Sequence, residues 1–190
     1  MEYRAVVIGA SAGGLNALRT ILTGLDAGFS MPLLVTQHIS AHSDNYMTVH
    51  LNSLCKMTVK EADEKEKIEK GKAYFAPPNF HMLVEEDYSI SLSVEDKVNY
   101  ARPSIDIMFE TAAFAYGSGL IGIILTGANN DGAKGLKAIK EHGGLTIVQD
   151  PTSAEVDTMP RSAMELSRPH HVLKLESIAE LLNEINRKKI

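Results

Sequence analysis

Three apolar, strand-like stretches each run into a residue type suited to acyl transfer. They are Ser11 in Val6-Val7-Ile8-Gly9-Ala10-Ser11-Ala12-Gly13-Gly14, His38 in Leu33-Leu34-Val35-Thr36-Gln37-His38, and Asp131 in Ile123-Ile124-Leu125-Thr126-Gly127-Ala128-Asn129-Asn130-Asp131. Together they supply a nucleophile, a base and an acid. In an open α/β sheet, ligands bind beyond the carboxyl ends of the strands, so three strands can deliver these groups to one place. The chemistry expected is that of a serine hydrolase. His38 takes the Ser11 proton and returns it to a leaving alcohol, while Asp131 holds the imidazole tautomer and steadies the imidazolium.

The turn carrying Ser11 has two readings. Gly9-Ala10-Ser11-Ala12-Gly13 satisfies G-x-S-x-G, in which small neighbours let a serine stand exposed on a sharp strand-to-helix turn. The helix that follows points backbone N–H groups at the same space, where they could stabilise an oxyanion. Alternatively, a strand, a glycine turn and a helix could cradle a dinucleotide pyrophosphate. That reading wants an acidic residue at the end of the second strand to hold the ribose. The second strand here ends Thr36-Gln37-His38, which favours the hydrolase. Taken alone, His38 could be structural and Asp131 could cap the helix that follows it. The chain order Ser, His, Asp differs from that of α/β-hydrolases, chymotrypsin and subtilisin.

These groups need a frame. Strand-length apolar runs alternate with segments of helical period: 4–9 then 13–25, 32–37 then 43–55, and 120–126 then 131–142. Leu120-Ile121-Gly122-Ile123-Ile124-Leu125 is apolar without alternation, as a strand covered on both faces should be. The fold class predicted is α/β, a doubly wound, mostly parallel sheet between helices, in one domain over residues 1–190. Short strands at 73–76, 81–84 and 88–93, the last two joined by Glu85-Glu86-Asp87, predict an antiparallel hairpin appended to that sheet. Lys60 to Lys72 mixes both charge signs and reads as a solvated loop. Ser104 suits the N-cap of a helix near 105–117, with Asp106 in its first turn. A strand at 145–149, a short helix after Met159-Pro160, a strand at 171–175 and a helix at 176–187 complete the expected order.

Composition narrows the partners. With 190 residues, 44% hydrophobic and 23% charged, the chain can bury a substantial core and has no long uncharged apolar run or signal-peptide pattern. The expectation is a cytoplasmic protein without membrane insertion. A formal charge of −5, with Arg187-Lys188-Lys189 as the lone basic cluster, argues against nucleic acid. The single Cys55 excludes an intrachain disulfide and a multi-cysteine zinc site, and reads as a buried residue near a helix end. His38 and His42 lie four apart, but without H-E-x-x-H or a cysteine pair no metal is expected.

At the level of ordered motifs, the chain resembles the catalytic domain of the CheB family of chemoreceptor protein-glutamate methylesterases. The resemblance runs from Val7 to about Met164. It is carried by Ile8-Gly9-Ala10-Ser11-Ala12-Gly13-Gly14, Thr36-Gln37-His38-Ile39, Ala73-Tyr74-Phe75-Ala76-Pro77-Pro78 with His81, Arg102-Pro103-Ser104-Ile105-Asp106, Ile124-Leu125-Thr126-Gly127, Asp131-Gly132-Ala133 and Met159-Pro160. It implies a Ser11, His38, Asp131 triad that hydrolyses γ-glutamyl methyl esters on the methylated cytoplasmic domain of chemoreceptors, and deamidation of particular glutamines. It implies no metal or organic cofactor.

Ala12, Ala128 and Met159 are the expected oxyanion or active-site wall residues. Ala128-Asn129 stands where the family typically has Met-Gly, Thr158 where glycine commonly precedes Met-Pro, and Ser40 where proline is usual. CheB proteins commonly carry an N-terminal receiver domain, whereas the first strand here begins by about Arg4, so the resemblance implies a stand-alone esterase or one regulated by a separate response regulator. Because the base must be neutral, activity is expected to fall below roughly pH 6 to 7.

Overall fold

A computed structural model describes the protein over residues 2–188, which leaves Lys189 of the basic cluster outside the described residues. In chain order the elements are β1 (Ala5–Ala10), α1 (Gly14–Gly24), β2 (Leu33–Gln37), α2 (Tyr46–Leu54), β3 (Thr58–Glu61), β4 (Lys72–Phe75), β5 (His81–Val84), β6 (Ile90–Ser93), α3 (Ile105–Tyr116), β7 (Leu120–Ile124), α4 (Ala133–Glu141), β8 (Leu145–Gln149), α5 (Thr158–Ser167), β9 (His171–Leu173) and α6 (Leu175–Arg187).

The apolar runs become the centre of a parallel sheet in the order β3-β4-β2-β1-β7-β8-β9. Successive side chains of a strand face opposite ways, so a continuous apolar run requires cover on both sides. In β1, Val6, Ile8 and Ala10 pack with Leu18, Ile21 and Leu22 of α1 and Ile178 and Leu182 of α6. Ala5 and Val7 pack on the other face with Met108, Phe109 and Ala112 of α3 and Leu136 and Ile139 of α4. Each large apolar side chain buried this way is worth about 1.5–3 kcal/mol, and the two cores clamp β1 from both sides. Winding reverses between β1 and β7, which opens a crevice at their carboxyl ends.

The middle of the chain differs in detail from the sequence reading. β4 joins the main sheet beside β2, and β3 pairs with β4 at the edge, where the four residues Thr-Val-Lys-Glu are too short and too polar to stand out. β5 and β6 form the antiparallel hairpin as a separate two-stranded sheet. It packs on α3 through buried Met82, Val84 and Ile90, and the Val84 N–H donates to Thr111 Oγ1 at 3.1 Å. The charged segment after β3 is more than a solvated loop, because its backbone edges the hairpin: Lys65 N–H donates to Ile90 O, Ile68 N–H to Tyr88 O and Ile90 N–H to Glu66 O. Most of its charged side chains face outward, but Glu66 is drawn in against Lys60 and the Asp63 N–H. Met159-Pro160 lies inside the first turn of α5 rather than before it. Cys55 caps the end of α2, half-buried, and burial pushes its thiol pKa up, away from thiolate character. Among the described residues no helix is long and apolar enough to cross a membrane.

Candidate active site

Backbone bonds between adjacent strand ends set the spacing of the three chemical groups. Leu125 N–H donates to Gly9 O at 2.9 Å, Ser11 N–H to Thr126 O at 3.0 Å, and His38 N–H to Ala10 O at 3.0 Å. Parallel pairing therefore continues one step beyond the strands and carries Ser11, His38 and the β7–α4 loop to one edge. Gly13 then takes φ +78° as the N-cap of α1, a left-handed conformation that costs glycine little. The N–H groups of Ala12 and Gly13 have no acceptor among the described residues, as expected at the start of a helix.

Side chains brace the turn from behind. Gln37, buried at the end of β2, donates through Nε2 to Ser11 O and His38 O, both at 2.9 Å, and so ties the Ser11 and His38 backbones together. Thr126 Oγ1 donates to Ala12 O at 2.8 Å and accepts from Val156 N–H at 2.9 Å. Gly127 is required by close approach: a Cβ there would meet Met159 Cε at 2.6 Å and Ser11 Cβ at 2.9 Å. Met159 is thus buried behind the turn, and its N–H donates to Gly127 O at 2.9 Å. Ala12 and Ala128 are exposed at the rim.

Asp131 is fully buried, and its carboxylate is saturated with donors. Oδ2 accepts from Ile105 N–H at 2.7 Å and from His38 Nε2 at 2.8 Å. Oδ1 accepts from Ser104 Oγ at 3.0 Å, Asn99 Nδ2 at 3.1 Å and Asp106 N–H at 3.2 Å. Burial alone would raise its pKa. The hydrogen bonds from His38 and Ile105, the charge of His38 and the Asn99 amide outweigh burial and hold it below the usual carboxylate range.

The capping logic is therefore exchanged between loops. Ser104 occupies the N-cap position of α3 but makes no capping bond with its side chain; its hydroxyl donates to Asp131, and Asp131 takes the free N–H groups of α3. The helix after Asp131 is capped by Gly132 instead. The ordinary capping role of an aspartate is met on a neighbouring helix, and Oδ2 takes His38 Nε2 alongside the Ile105 N–H.

A carboxylate can only accept, so His38 Nε2 carries a proton, and in the neutral ring Nδ1 then presents its lone pair. The partner of Nδ1 is Asn129 Nδ2 at 3.3 Å. Ser11, His38 and Asn129 line one cavity of about 440 Å³ together with Ser40, Asn79, Lys97, Asn99, Tyr100 and Arg102. Among the described residues Ser11 Oγ is not hydrogen-bonded to the ring. Arg102 is held in the wall, donating to Asn79 Oδ1 and to the carbonyls of Val94 and Glu95. Tyr100, 98% exposed, stands at the mouth.

Asn99, Asp106, Gln37 and Asn129 take parts in this site that the sequence reading did not assign. Asn99 Nδ2 bridges Asp131 and Asp106 Oδ2, the latter at 3.0 Å. Asp106 lies in the first turn of α3, as read from the sequence, and in addition accepts Gly135 N–H of α4 at 2.8 Å. Burial, with the charges of Asp131 and Glu110, pushes its pKa up to about 6 against the hydrogen bonds from Gly135 and Asn99. A glutamine ending a buried strand was a usable signal, since buried amides must find partners. Asn99 carried none, because its partners Asp106 and Asp131 lie 7 and 32 residues further along the chain.

Comparison with known proteins follows the same outline. The sequence model of the family described as CheB methylesterase matches residues 6–182. A Leptospira interrogans protein, provisionally named a protein-glutamate methylesterase/protein-glutamine glutaminase, is 52% identical over 190 residues, 100% of this chain and 98% of that protein. A Bordetella parapertussis protein-glutamate methylesterase/protein-glutamine glutaminase is 40% identical over 181 residues, 93% of this chain and 51% of its own length, so the chain spans about half of that relative. The crystal structure of the Thermotoga maritima CheB methylesterase catalytic domain superposes with a TM-score of 0.92 at 34% identity, covering 97% of this chain and 100% of that one.

Proposed function

The chain belongs to the CheB methylesterase family of hydrolases, and from that premise we propose that it removes methyl groups from glutamate γ-methyl esters of chemoreceptors through Ser11, His38 and Asp131. Deamidation of receptor glutamines is the same acyl transfer with ammonia as the leaving group. The observation that carries the reading is convergence: Ser11 and His38 line one cavity, and Asp131 bonds the far side of the His38 ring.

In this mechanism Ser11 Oγ attacks the γ-carbonyl carbon while its proton passes to His38 Nδ1. The tetrahedral oxyanion lies against the open N–H groups at the Ala12-Gly13 turn. The C–O bond to the methoxy group breaks as His38 returns the proton, and methanol leaves. Water then attacks the Ser11 acyl-enzyme, with His38 again as base, freeing the glutamate carboxylate and the serine. Asp131 stays ionised throughout and keeps Nε2 protonated.

The substrate assigned is the methylated cytoplasmic part of a chemoreceptor, and the enzyme would act in the cytoplasm, where that part lies. A separate response regulator is a fitting partner. The test is methanol release from methylated receptor, comparing the parent with Ser11→Ala. Loss of release with an unchanged circular dichroism spectrum is expected. Normal release by the variant would overturn the assignment.

A further inference from the structure

The nitrogen that must accept the Ser11 proton already has a donor in the resting site. Asp131 Oδ2 fixes the proton on His38 Nε2, leaving Nδ1 with its lone pair. The orientation of the Asn129 amide is fixed independently, because Asp131 N–H donates to Asn129 Oδ1 at 3.1 Å. Nδ2 must therefore be the end that faces the ring, and it lies 3.3 Å from His38 Nδ1. Asn129 is only partly buried and shares the cavity with Ser11.

We propose that Asn129 is a positioning residue that occupies the proton-accepting nitrogen of His38 in the resting enzyme, so that Ser11 is activated only when an acyl substrate draws the amide away. The inference rests on the reading of Ser11 and His38 as nucleophile and base. One lone pair cannot serve two donors, so the Asn129 amide and the Ser11 hydroxyl compete for Nδ1. At 3.3 Å the contact is at the long end for a hydrogen bond and is readily exchanged. An ester or amide carbonyl oxygen entering the cavity is the kind of acceptor that can take over the Asn129 N–H. The ring lone pair then receives the Ser11 proton as Oγ attacks. The same side chain thus holds the ring while the cavity is empty and suppresses attack by Ser11 on adventitious electrophiles.

The test uses Asn129→Ser, whose hydroxyl can still accept from Asp131 N–H but cannot reach the ring as an amide donor. Protein labelled with ¹⁵N-histidine gives a readout independent of catalysis: the unprotonated His38 nitrogen should move downfield in the variant. Labelling of Ser11 by a fluorophosphonate should accelerate about three- to tenfold, the scale of one modest hydrogen bond. Asn129→Gly, which also removes the bond to Asp131 N–H, should shift and accelerate in the same directions.

An unmoved His38 signal would overturn the contact. A moved signal with unchanged or slower labelling would overturn the competition. Failure of the underlying triad is distinguishable from both, because Ser11→Ala would then still be labelled and active.

Discussion

Asp131 and Asp106 lie at the same end of α3, are both buried and share the amide of Asn99, yet their acidities diverge. Asp131 receives five donors and falls below the usual carboxylate range. Asp106 receives two and rises to about 6. Burial penalises both charges; what separates them is how many N–H and O–H groups the fold aims at each and which charges lie beside them, His38 at Asp131 and two carboxylates, Asp131 and Glu110, at Asp106. The contrast assigns different work to the two groups. Asp131 is kept as an anion against His38, while Asp106 bears the unrelieved repulsion of its neighbour and joins α3 to α4.

The most severe way to break this comparison is to neutralise each acid in turn. Asp131→Asn should lower kcat for methanol release by about 10³–10⁴, because the amide no longer fixes the ring tautomer. Asp106→Asn should cost less than about tenfold, since it reaches His38 through other groups. Equal losses would mean that the two carboxylates act as one unit. Asn99→Ala removes a donor from both, and kcat/KM should fall about three- to tenfold with about 1 kcal/mol of stability. A stability loss without any kinetic effect would confine Asn99 to Asp106.

Stability against pH sharpens the contrast, because the two contributions have opposite signs. Asp106, with its folded pKa above the unfolded one, stabilises the protein below the ordinary carboxylate value and loses that contribution as pH rises towards about 6. Asp131, held low, contributes above the ordinary value and loses its contribution as pH falls through its folded value. Urea denaturation of Asp106→Asn should therefore show it gaining on the parent by about 1–2 kcal/mol between pH 4 and pH 7. A constant difference across that range would remove the distinction. The smallest effect belongs to Ser104→Ala, which strips one donor of five from Asp131: about 0.5–1.5 kcal/mol in urea and kcat within about twofold.

The strands that deliver Ser11, His38 and Asp131 were legible because two-sided burial writes itself as an uninterrupted apolar run. β8 at Leu145–Gln149 and the hairpin were legible for similar local reasons. β3 was hidden, since an edge strand of four residues with Lys60 and Glu61 half-exposed needs no apolar pattern. Within the candidate site, Ser11 and His38 stood out by type and position as candidates. The supporting shell did not, because its bonds cross long stretches of chain: Asn99 to Asp131 spans 32 residues and Gly135 to Asp106 spans 29. A capping rule read locally gave Ser104 to α3 and Asp131 to α4, whereas the structure hands α3 to Asp131. Propensity names which groups can cap, and topology decides which helix receives them.

The strand order has a kinetic consequence. β1, which ends on Ser11, is flanked by β2 and by β7, whose first residue lies 115 positions after that of β1. Loop-closure entropy must be overcome before that pairing returns any stabilisation, so nonlocal parallel pairing of this kind slows folding. Ser11 and His38 can be joined by the earlier β1–β2 pairing, but Asp131 and Asn129, which follow β7 in the chain, arrive only with it. During refolding, intrinsic fluorescence and secondary structure should therefore recover ahead of fluorophosphonate reactivity at Ser11, and competence should be the last property the chain acquires.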